Sequence, residues 1–412
     1  MSETTQHPIK KQVALLASEG FTQKQIALTL GVSQSTVSLL LQRATQIIDG
    51  QPPILDPRPR LLVSPQERVQ IQNSLYGGEL QSVLERYGER HKLDFVPKVY
   101  LGVTESDNDS WDMRVKAWGQ ALAPILFDLI KDCTLLTIGW GRHMRSLVDG
   151  LRLFHPEIRH SRKVTIFSSW PPRLSVNPES EDTIYRDHIA LESNALAYEC
   201  TVLLNTKDNL VKNHLHYLPG IDLIPFSTHP FEISASMSAT DIKKRIREEE
   251  KLLQGTKSAF FTIDSFRDIF GHFKERTPGS LLWNVDAAIL PSGPPGGPKS
   301  FSMGIDYGGV PDSWYRDQTL GDIGGVLIPS RPYSKMSPKE ILQFERVKMR
   351  WLGLQEDDLR HIAKNSKIGT IVGAVGADRL PVLIYGIQNQ LIRHLLCDYS
   401  VAKALSAALS TK

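Results

Sequence analysis

Short apolar runs alternate with longer segments of helical periodicity from about residue 96 onward. The runs are rich in Val, Ile and Leu and end near turn-forming residues, which is the pattern of buried strands. They predict strands at 98–103, 134–138, 164–168, 201–205, 285–290, 326–329, 370–375 and 391–397. In the other segments apolar residues recur every three or four positions. These predict helices at 115–130, 187–198, 338–351 and 378–388, with one more ending at about 153. Such alternation is typical of an α/β domain with a largely parallel sheet.

Two stretches interrupt this alternation. Residues 241–254 form a charged helical segment, and its charges predict a solvated face. Residues 291–298 read PSGPPGGP and predict a flexible connection, with a lid over a ligand site as the alternative.

Two shorter helical patterns meet at one glycine near the N-terminus, in GFTQKQIALTLGVSQSTVSLLLQRA (20–44). Thr22 and Ser33 each place a hydroxyl before a helical pattern and can cap it. Gly31 falls where the chain must turn, and glycine tolerates the left-handed backbone of such turns. The inward-facing residues are Ile26, Ala27 and Leu30 in the first helix and Val37, Leu40 and Leu41 in the second. This spacing is typical of a helix-turn-helix unit, whose second helix enters the DNA major groove; an ordinary helical hairpin is the alternative.

The outward face of the second helix carries amide and hydroxyl groups that suit base edges, since glutamine pairs best with adenine. We predict that operator DNA contacts the polar residues of both helices, namely Thr22, Gln23, Ser33, Gln34, Ser35, Thr36, Ser38, Gln42 and Arg43. This DNA-binding domain spans residues 1–50. Four prolines among residues 51–60 then predict an extended linker, so linker and connecting helices occupy 51–95 and the α/β domain 96–412.

The composition is that of an ordinary globular protein, with 41% hydrophobic and 23% charged residues. Net charge is only +3, and residues 1–60 contain six Lys/Arg against four Asp/Glu. Phosphate attraction per chain is therefore modest, and tight DNA binding requires several heads acting together. The three cysteines are far apart and lack metal-ligand spacing, and no apolar run approaches 18 residues. We therefore expect a soluble cytoplasmic protein with reduced thiols, no metal and no cofactor.

One glycine-containing loop follows the predicted strand at 134–138 and opens a helix. It reads GWGRH and comprises Gly139, Gly141, Arg142 and His143. Glycines at the carboxyl end of a strand let backbone N–H groups approach an anion, and Arg142 adds a charged donor. The third glycine of a dinucleotide fingerprint is absent, so NAD binding is not predicted. Tight packing of the strand explains the glycines equally well.

Two further loops place glycines beside charged residues. In GDIGG (321–325), Asp322 can accept hydrogen bonds from sugar hydroxyls or simply cap a turn. In GAVGADR (373–379), Arg379 lies in the first turn of a helix, where a cation opposes the helix dipole. A bound phosphate would offset that charge, and so would an ion pair with Asp378 or another acid. If the three loops converge, they form an anion-binding pocket.

The motifs of common enzymes are missing. The sequence contains no His-Glu-x-x-His, no Gly-x-Ser-x-Gly, no Walker loop and no paired cysteines. We therefore predict no catalytic residues.

In this order the motifs resemble those of the SorC family of bacterial sugar-responsive transcriptional regulators. The head resembles that family's GLTQxEIAxxLGxSRxxVSRLLxxA, and LLTIGWGRHMRSLVDGL resembles its strand-GxGWGRT-helix loop. GDIGGVLI resembles its GDIxGxxxD segment. The stretch LRHIAKNSKIGTIVGAVGADR with LIRHLLCDYSVAKAL resembles its closing region, although the usual VLITDE reads LLCDYS here.

The resemblance implies a helix-turn-helix head followed by a NagB/RpiA/CoA-transferase-like α/β effector domain that binds phosphorylated sugars and assembles as a homotetramer. By position, Gly139, Gly141, Arg142 and His143 would form the first phosphate loop, with His143 in place of a threonine. Asp322 falls in the second segment, and Arg379 stands where the family usually has a lysine. The chain is longer than a typical member, which implies an insertion within about 205–320. Gln34 and Leu39 replace arginines that are frequent in the family.

The sequence thus predicts a transcription regulator, not an enzyme, with operator DNA and a small phosphorylated metabolite as partners. The ligand-binding candidates are Gly139, Gly141, Arg142, His143, Asp322 and Arg379. Two alternatives remain open: an enzyme of isomerase-like fold with an accessory DNA-binding head, and a DNA-organising protein without a small ligand.

Overall fold

The computed structural model describes most of the chain. The described residues are 3–18, 22–46, 53–56, 60–61, 71, 77–102, 110–154, 164–168, 193–205, 238–271, 278–295 and 312–410. Every DNA-binding and ligand-binding residue predicted from the sequence lies within these ranges.

Three helices form the N-terminal head: α1 (Glu3–Ser18), α2 (Gln23–Leu30) and α3 (Gln34–Ala44). They pack around a small apolar core that contains Val13, Leu16, Ile26, Val37 and Leu40. The predicted turn at Gly31 is present, and its φ of +63° is the left-handed conformation that glycine accepts most readily.

Ile54 and Leu55, in the proline-containing segment, contact the head. Strand β1 (Leu55–Asp56) pairs antiparallel with β2 (Arg60–Leu61). Leu55 is buried with Ala14 and Ala44, and the Ile54 N–H donates to the Ala44 carbonyl at 2.9 Å. The described residues of the segment are extended, as predicted.

The large sheet has a parallel core. Its strands lie in the order β3 (Lys98–Leu101), β10 (His394–Cys397), β9 (Gly369–Ala374), β6 (Ala287–Gly293), β4 (Leu135–Ile138) and β5 (Thr165–Ser168). Each neighbouring pair in this order is parallel. The last two residues of β6 pair antiparallel with β7 (Thr319–Ile323), which continues into a hairpin with β8 (Val326–Pro329). The predicted α/β class with a largely parallel sheet is confirmed.

The remaining helices connect these strands. They are α4 (Gly78–His91), α5 (Trp111–Ile130), α6 (Arg142–Phe154), α7 (Ser193–Leu204), α8 (Ala239–Phe260), α9 (Asp264–Phe270), α10 (Asp312–Gln318), α11 (Pro338–Arg350), α12 (Glu356–Asn365), α13 (Leu380–Gln388) and α14 (Tyr399–Ser410). Short 3₁₀ turns occupy Tyr333–Lys335 and Ala377–Arg379. Among the described helices, none is both long enough and apolar enough to cross a membrane.

Apolar helices cover both faces of the sheet. Strand side chains alternate between the faces, so Ile371 and Leu396 join one apolar cluster while Val372 and Leu395 join the other. The first cluster includes α5, α6 and α7, and the second includes α4, α9, α12, α13 and α14. Burial on both faces is the usual condition of parallel strands, and it leaves their carboxyl ends as the accessible edge.

Two predictions of local structure are wrong. Residues 201–205 are not a strand, because Thr201 and the apolar residues around it lie in helix α7 and bury Leu196, Cys200 and Leu204 at helical spacing. Part of the predicted loop at 291–298 is a strand: its first three residues complete β6, and Pro291 and Ser292 are buried. Residues 296–298 lie outside the described ranges. The three cysteines, Cys133, Cys200 and Cys397, are buried and free.

Candidate functional site

The first glycine loop, which follows β4, uses its two glycines differently. Gly139 lies against β6, where its N–H donates to the Ile289 carbonyl at 2.8 Å and a Cβ would lie 2.7 Å from Pro291 Cδ. Strand packing therefore explains Gly139. Gly141 adopts a φ of +97°, and a Cβ there would meet nothing within 4 Å. Its role is to turn the chain into α6 without covering the helix start.

Arg142 is the first residue of α6 and lies against the start of α5. Its Nη1 donates to Asp112 Oδ1 at 2.8 Å, and the guanidinium lies 4.0 Å from the centroid of the Trp111 ring. Cation–π contact and an exposed carboxylate thus position one positive charge beside the loop.

His143 is buried between two indole rings. Its ring centroid lies 5.5 Å from that of Trp111 and 5.6 Å from that of Trp118, both in edge-on geometry. Burial lowers the pKa of His143 well below its ordinary value, and the charges of Arg379 and Arg142 lower it further. The imidazole is therefore neutral, and within the described residues its Nε2 has no hydrogen-bond partner. A buried polar atom of this kind is costly unless a ligand or water satisfies it.

Arg379 ends the 3₁₀ turn that follows β9 and is only 5% exposed. Its Nε donates to the Ser292 carbonyl at 3.1 Å, and its Nη1 donates to the Val375 carbonyl and to Asp378 Oδ1 at 2.7 Å. Burial lowers the pKa of Arg379, while the charges of Asp378, Asp398 and Asp322 act in the opposite direction. Of the two explanations for a cation at this helix start, the ion pair with Asp378 is present in the structure.

Asp322 is buried in β7 and holds the hairpin. Its Oδ1 accepts the Gly325 N–H at 2.9 Å, and its Oδ2 accepts the Tyr315 hydroxyl at 3.3 Å. In the ladder Asp322 lies opposite Gly293, where a Cβ would come within 2.2 Å of Oδ2. The turn-capping alternative therefore describes these contacts, although the carboxylate also acts electrostatically on Arg379.

The three predicted loops meet at the carboxyl ends of β4, β6 and β9. Arg142 and His143 from the first loop and Arg379 from the third all contact the Trp111 ring, with Arg379 5.6 Å from its centroid. The negative charge of Asp322 acts on Arg379 and raises its pKa. The site therefore contains two cations, one neutral imidazole and an aromatic platform.

Sequence reasoning missed Trp111, Trp118 and Asp398. An aromatic residue in an apolar helix predicts core, and nothing near Trp111 in the sequence pairs it with arginines. Asp398 accepts the N–H groups of Gly376 at 3.3 Å and Val401 at 3.0 Å, so it fixes the loop after β9 to the start of α14. An aspartate directly after a buried strand is the signal that indicates such a cap.

In the head, the predicted caps are formed. Ser33 Oγ accepts the Thr36 N–H at 3.1 Å, and Thr22 Oγ1 accepts the Gln25 N–H at 3.3 Å while Gln25 Oε1 accepts the Thr22 N–H at 2.9 Å. All but one of the predicted DNA-binding residues are exposed: Thr22, Gln23, Ser33, Gln34, Ser35, Ser38, Gln42 and Arg43. Thr36 is half-buried. The polar face of α3 is therefore opposite its buried residues.

No protein-family model matches the chain, and no curated protein matches it. Among solved structures, the full-length sorbitol operon regulator SorC from Klebsiella pneumoniae matches 98% of this chain and 100% of its own, with 15% identity and a TM-score of 0.49. A DeoR family transcriptional regulator from Listeria monocytogenes matches 79% of this chain and 99% of its own, with 14% identity and a TM-score of 0.48. A transcriptional regulator from Streptococcus pneumoniae matches 81% and 99%, with 14% identity and a TM-score of 0.48. The family named from the sequence resemblance is thus represented among the similar structures.

Proposed function

We propose that this protein is a DNA-binding transcription regulator whose operator affinity is controlled by a small, phosphorylated, sugar-like metabolite. The observation that carries the proposal is the convergence of Arg142 and Arg379 on the Trp111 ring, beside the unsatisfied Nε2 of His143. This cluster lies at the carboxyl ends of parallel strands, where α/β proteins bind ligands.

The charges of the cluster favour an anionic effector. The two guanidiniums repel each other, and the carboxylates that pair with them, on Asp112 and Asp378, have side chains that are 74% and 59% exposed. An exposed carboxylate retains much of its hydration, so an incoming phosphate can replace it at little cost. Phosphate oxygens accept several N–H donors at once, which suits arginine better than a single carboxylate oxygen does.

The remaining groups suit a sugar-like body. The Trp111 ring offers an apolar surface, and the neutral imidazole of His143 can form a hydrogen bond with a hydroxyl as donor or as acceptor. We assign effector binding to Gly141, Arg142, His143 and Arg379, together with Trp111. Gly139 and Asp322 support these residues indirectly, Gly139 by packing against β6 and Asp322 by holding the hairpin.

The head supplies the DNA contact in this proposal. Residues 22–46, which form α2, the turn and α3, contain Lys24 and Arg43 and no acidic residue. That balance suits a phosphate backbone, and the exposed polar face of α3 suits base edges.

Control by the effector follows from a population shift. In the proposed organisation four chains assemble through the α/β domain at 96–412, and the heads at 1–50 are carried on the region at 51–95. An effector that binds one arrangement of the tetramer better changes the spacing between heads, and with it the affinity for paired half-sites. The ligand needs no catalytic group for this role.

A thermal-shift screen tests the effector. Phosphorylated sugars are compared with their unphosphorylated counterparts and with inorganic phosphate. A ligand at a hundred times its Kd should add roughly 2.7 kcal/mol of stability. The same compounds are then added to a complex with DNA selected from random duplexes. A phosphorylated compound that both stabilises the protein and shifts DNA affinity supports the proposal. DNA binding that no compound alters favours the DNA-organising alternative, and chemical conversion of a compound favours the enzyme.

A further inference from the structure

Helix α3 presents two opposite stripes. Val37, Leu40 and Ala44 are buried, whereas Ser35, Ser38, Leu39 and Gln42 recur at the i, i+3, i+4, i+7 spacing of one exposed face. Leu39 is at the centre of this exposed stripe and is 47% exposed. Among the described side chains of the head, it is the only large apolar one that is exposed.

Isolated exposed leucines are common, so exposure alone would mean little. What distinguishes Leu39 is its neighbourhood. It lies among polar side chains that can hydrogen-bond to base edges, on the face of α3 that enters the major groove in the proposed function. In that groove an apolar side chain has one specific partner, the C5-methyl group of thymine.

The first residue of α3 supports the same base pair. Glutamine pairs through both of its amide atoms with adenine, and Gln34 is exposed at the N-terminus of the helix. The hydroxyls nearest the helix start are already engaged with one another, since Ser33 Oγ lies 2.8 Å from Ser35 Oγ and 2.7 Å from Thr36 Oγ1.

Residues 34–42 contain no side chain of the types that most often recognise guanine. Guanine is read most often by arginine or lysine, yet residues 34–42 contain neither. Arg43 lies in the last turn, away from the N-terminal part of the helix that contacts base edges in this class of motif. Lys24 and Arg43 are therefore placed to contact phosphates.

We propose, on the basis of the proposed DNA-binding function, that α3 selects A·T base pairs, with Leu39 contacting a thymine methyl group and Gln34 pairing with adenine. Serine at position 38 accepts either base and adds no preference of its own.

Selection from random-sequence duplexes with the full-length protein tests the proposal first. We expect the enriched half-site to contain A·T pairs at the positions nearest α3. Each thymine of the selected site is then replaced by deoxyuridine, which keeps the base pair and removes only the methyl group. Wild-type affinity should fall about fourfold at one position, as expected for the loss of one buried methyl contact.

The Leu39→Ala variant should bind the unmodified site about as weakly as wild type binds the deoxyuridine site, and deoxyuridine should weaken it no further. Leu39→Arg should shift selection toward G·C at the same position. Leu153→Ala serves as the matched control, because Leu153 is a 68% exposed leucine on helix α6 of the α/β domain. It should leave DNA affinity unchanged, and the melting temperature of each variant reports folding.

A G·C-rich selected half-site overturns this inference and leaves DNA binding intact, as does an equal deoxyuridine effect in wild type and Leu39→Ala. Recovery of no preferred duplex by the folded protein instead refutes the proposed function, and this inference falls with it.

Discussion

The guanidinium of Arg142 lies over the indole ring of Trp111, 4.0 Å from its centroid. The Arg379 guanidinium approaches the same ring at 5.6 Å from a loop on another strand. Two cations close to one aromatic ring would repel each other without compensation, and the electron-rich ring and the nearby carboxylates provide that compensation. Trp111 therefore links the loops after β4 and β9, and it is as much a part of the site as the residues that the sequence indicated.

Replacing Trp111 should accordingly weaken effector binding. Cation–π contacts contribute about 0.5–2 kcal/mol, so Trp111→Leu should lower affinity for the best phosphorylated compound of the screen by roughly 2- to 30-fold. Trp111→Phe keeps an aromatic face and should retain most of the affinity. Calorimetric titration of both variants measures the difference, and equal affinities would show that the ring has only a packing role.

Replacing His143 should affect the stability of the fold and its affinity for the effector differently. Phenylalanine preserves the ring and removes the unsatisfied Nε2, so His143→Phe should leave the free energy of unfolding unchanged or raise it by about 1 kcal/mol. If Nε2 bonds to the effector, affinity should fall by about 3- to 10-fold, the equivalent of one neutral hydrogen bond. Urea unfolding and ligand titration on the same preparation provide both values. A more stable variant with unaltered affinity would remove His143 from the effector contacts.

Acid should destabilise the fold through buried histidines. Burial lowers the pKa of His394 to about 4, and His394 Nδ1 lies 3.4 Å from the Tyr100 hydroxyl. Its pKa in the unfolded chain is about 6.5. Between these values the unfolded state binds a proton that the folded state does not, so stability is lost as the pH falls through that window. The stability lost through His394 is at most about 3 kcal/mol, and its partial exposure to solvent makes the loss smaller.

Unfolding free energies at pH 7, 5.5 and 4.5 check this prediction. The loss on acidification should shrink in His394→Gln, and the exposed His91→Gln serves as the control. An identical loss in wild type and His394→Gln would contradict the assignment.

The head should fold alone but bind DNA weakly. Because Leu55 packs against Ala14 and Ala44, a fragment of residues 1–61 should melt at a higher temperature than a fragment of residues 1–50. At the same salt concentration both should bind the selected operator far more weakly than the full chain, because each head has few positive residues and paired heads gain from avidity. An isolated head that matches the full chain would disprove the need for oligomers.

The frame of the fold was predictable because its central strands are buried on both faces. Every residue of Gly369–Ala374 is buried, and this gives a continuous apolar run that shifts by only one residue from the prediction. The run at 201–205 is also mostly apolar, but residues 201–204 form the end of helix α7. Asn205 follows the helix and bonds to the backbone of Val164. A short apolar run alone cannot separate these outcomes, since tertiary packing decides between them.

The site was predictable in its loops but not in its contacts. Glycines after strands marked the carboxyl edge, whereas β7 carries little apolar alternation. In that strand Gly321 lies against the Gly293 carbonyl, where a Cβ would come within 2.0 Å, so the close approach requires glycine. The convergence of Trp111 with two arginines depends on strand order, and one sequence carries no direct signal of that order.

Arg379 is the residue on which a structural role and a ligand role are hardest to separate. It donates to two carbonyls and to Asp378, so Arg379→Ala should destabilise the fold by leaving buried acceptors without a donor. Loss of effector binding in that variant would prove little. Arg379→Lys keeps the charge but loses the planar set of donors, and its affinity for the effector should fall roughly 10-fold.

The decisive variant is Asp378→Asn, because the two roles predict different effects on effector affinity. The Asp378 carboxylate is 59% exposed, so its removal should cost at most about 1 kcal/mol of stability. If Arg379 serves only to pair with Asp378, effector affinity should not change. If Arg379 Nη1 binds the effector phosphate, Asp378 competes with that phosphate for the same donor. Removing the competitor should then tighten binding by about 3- to 10-fold, and the gain should shrink at high salt, where charge competition is screened.

Titrations of wild type, Asp378→Asn and the Asp378→Asn/Arg379→Lys double variant at low and high salt measure this gain in affinity, which must disappear in the double variant. Unchanged affinity in Asp378→Asn at both salt concentrations would leave Arg379 as a structural residue.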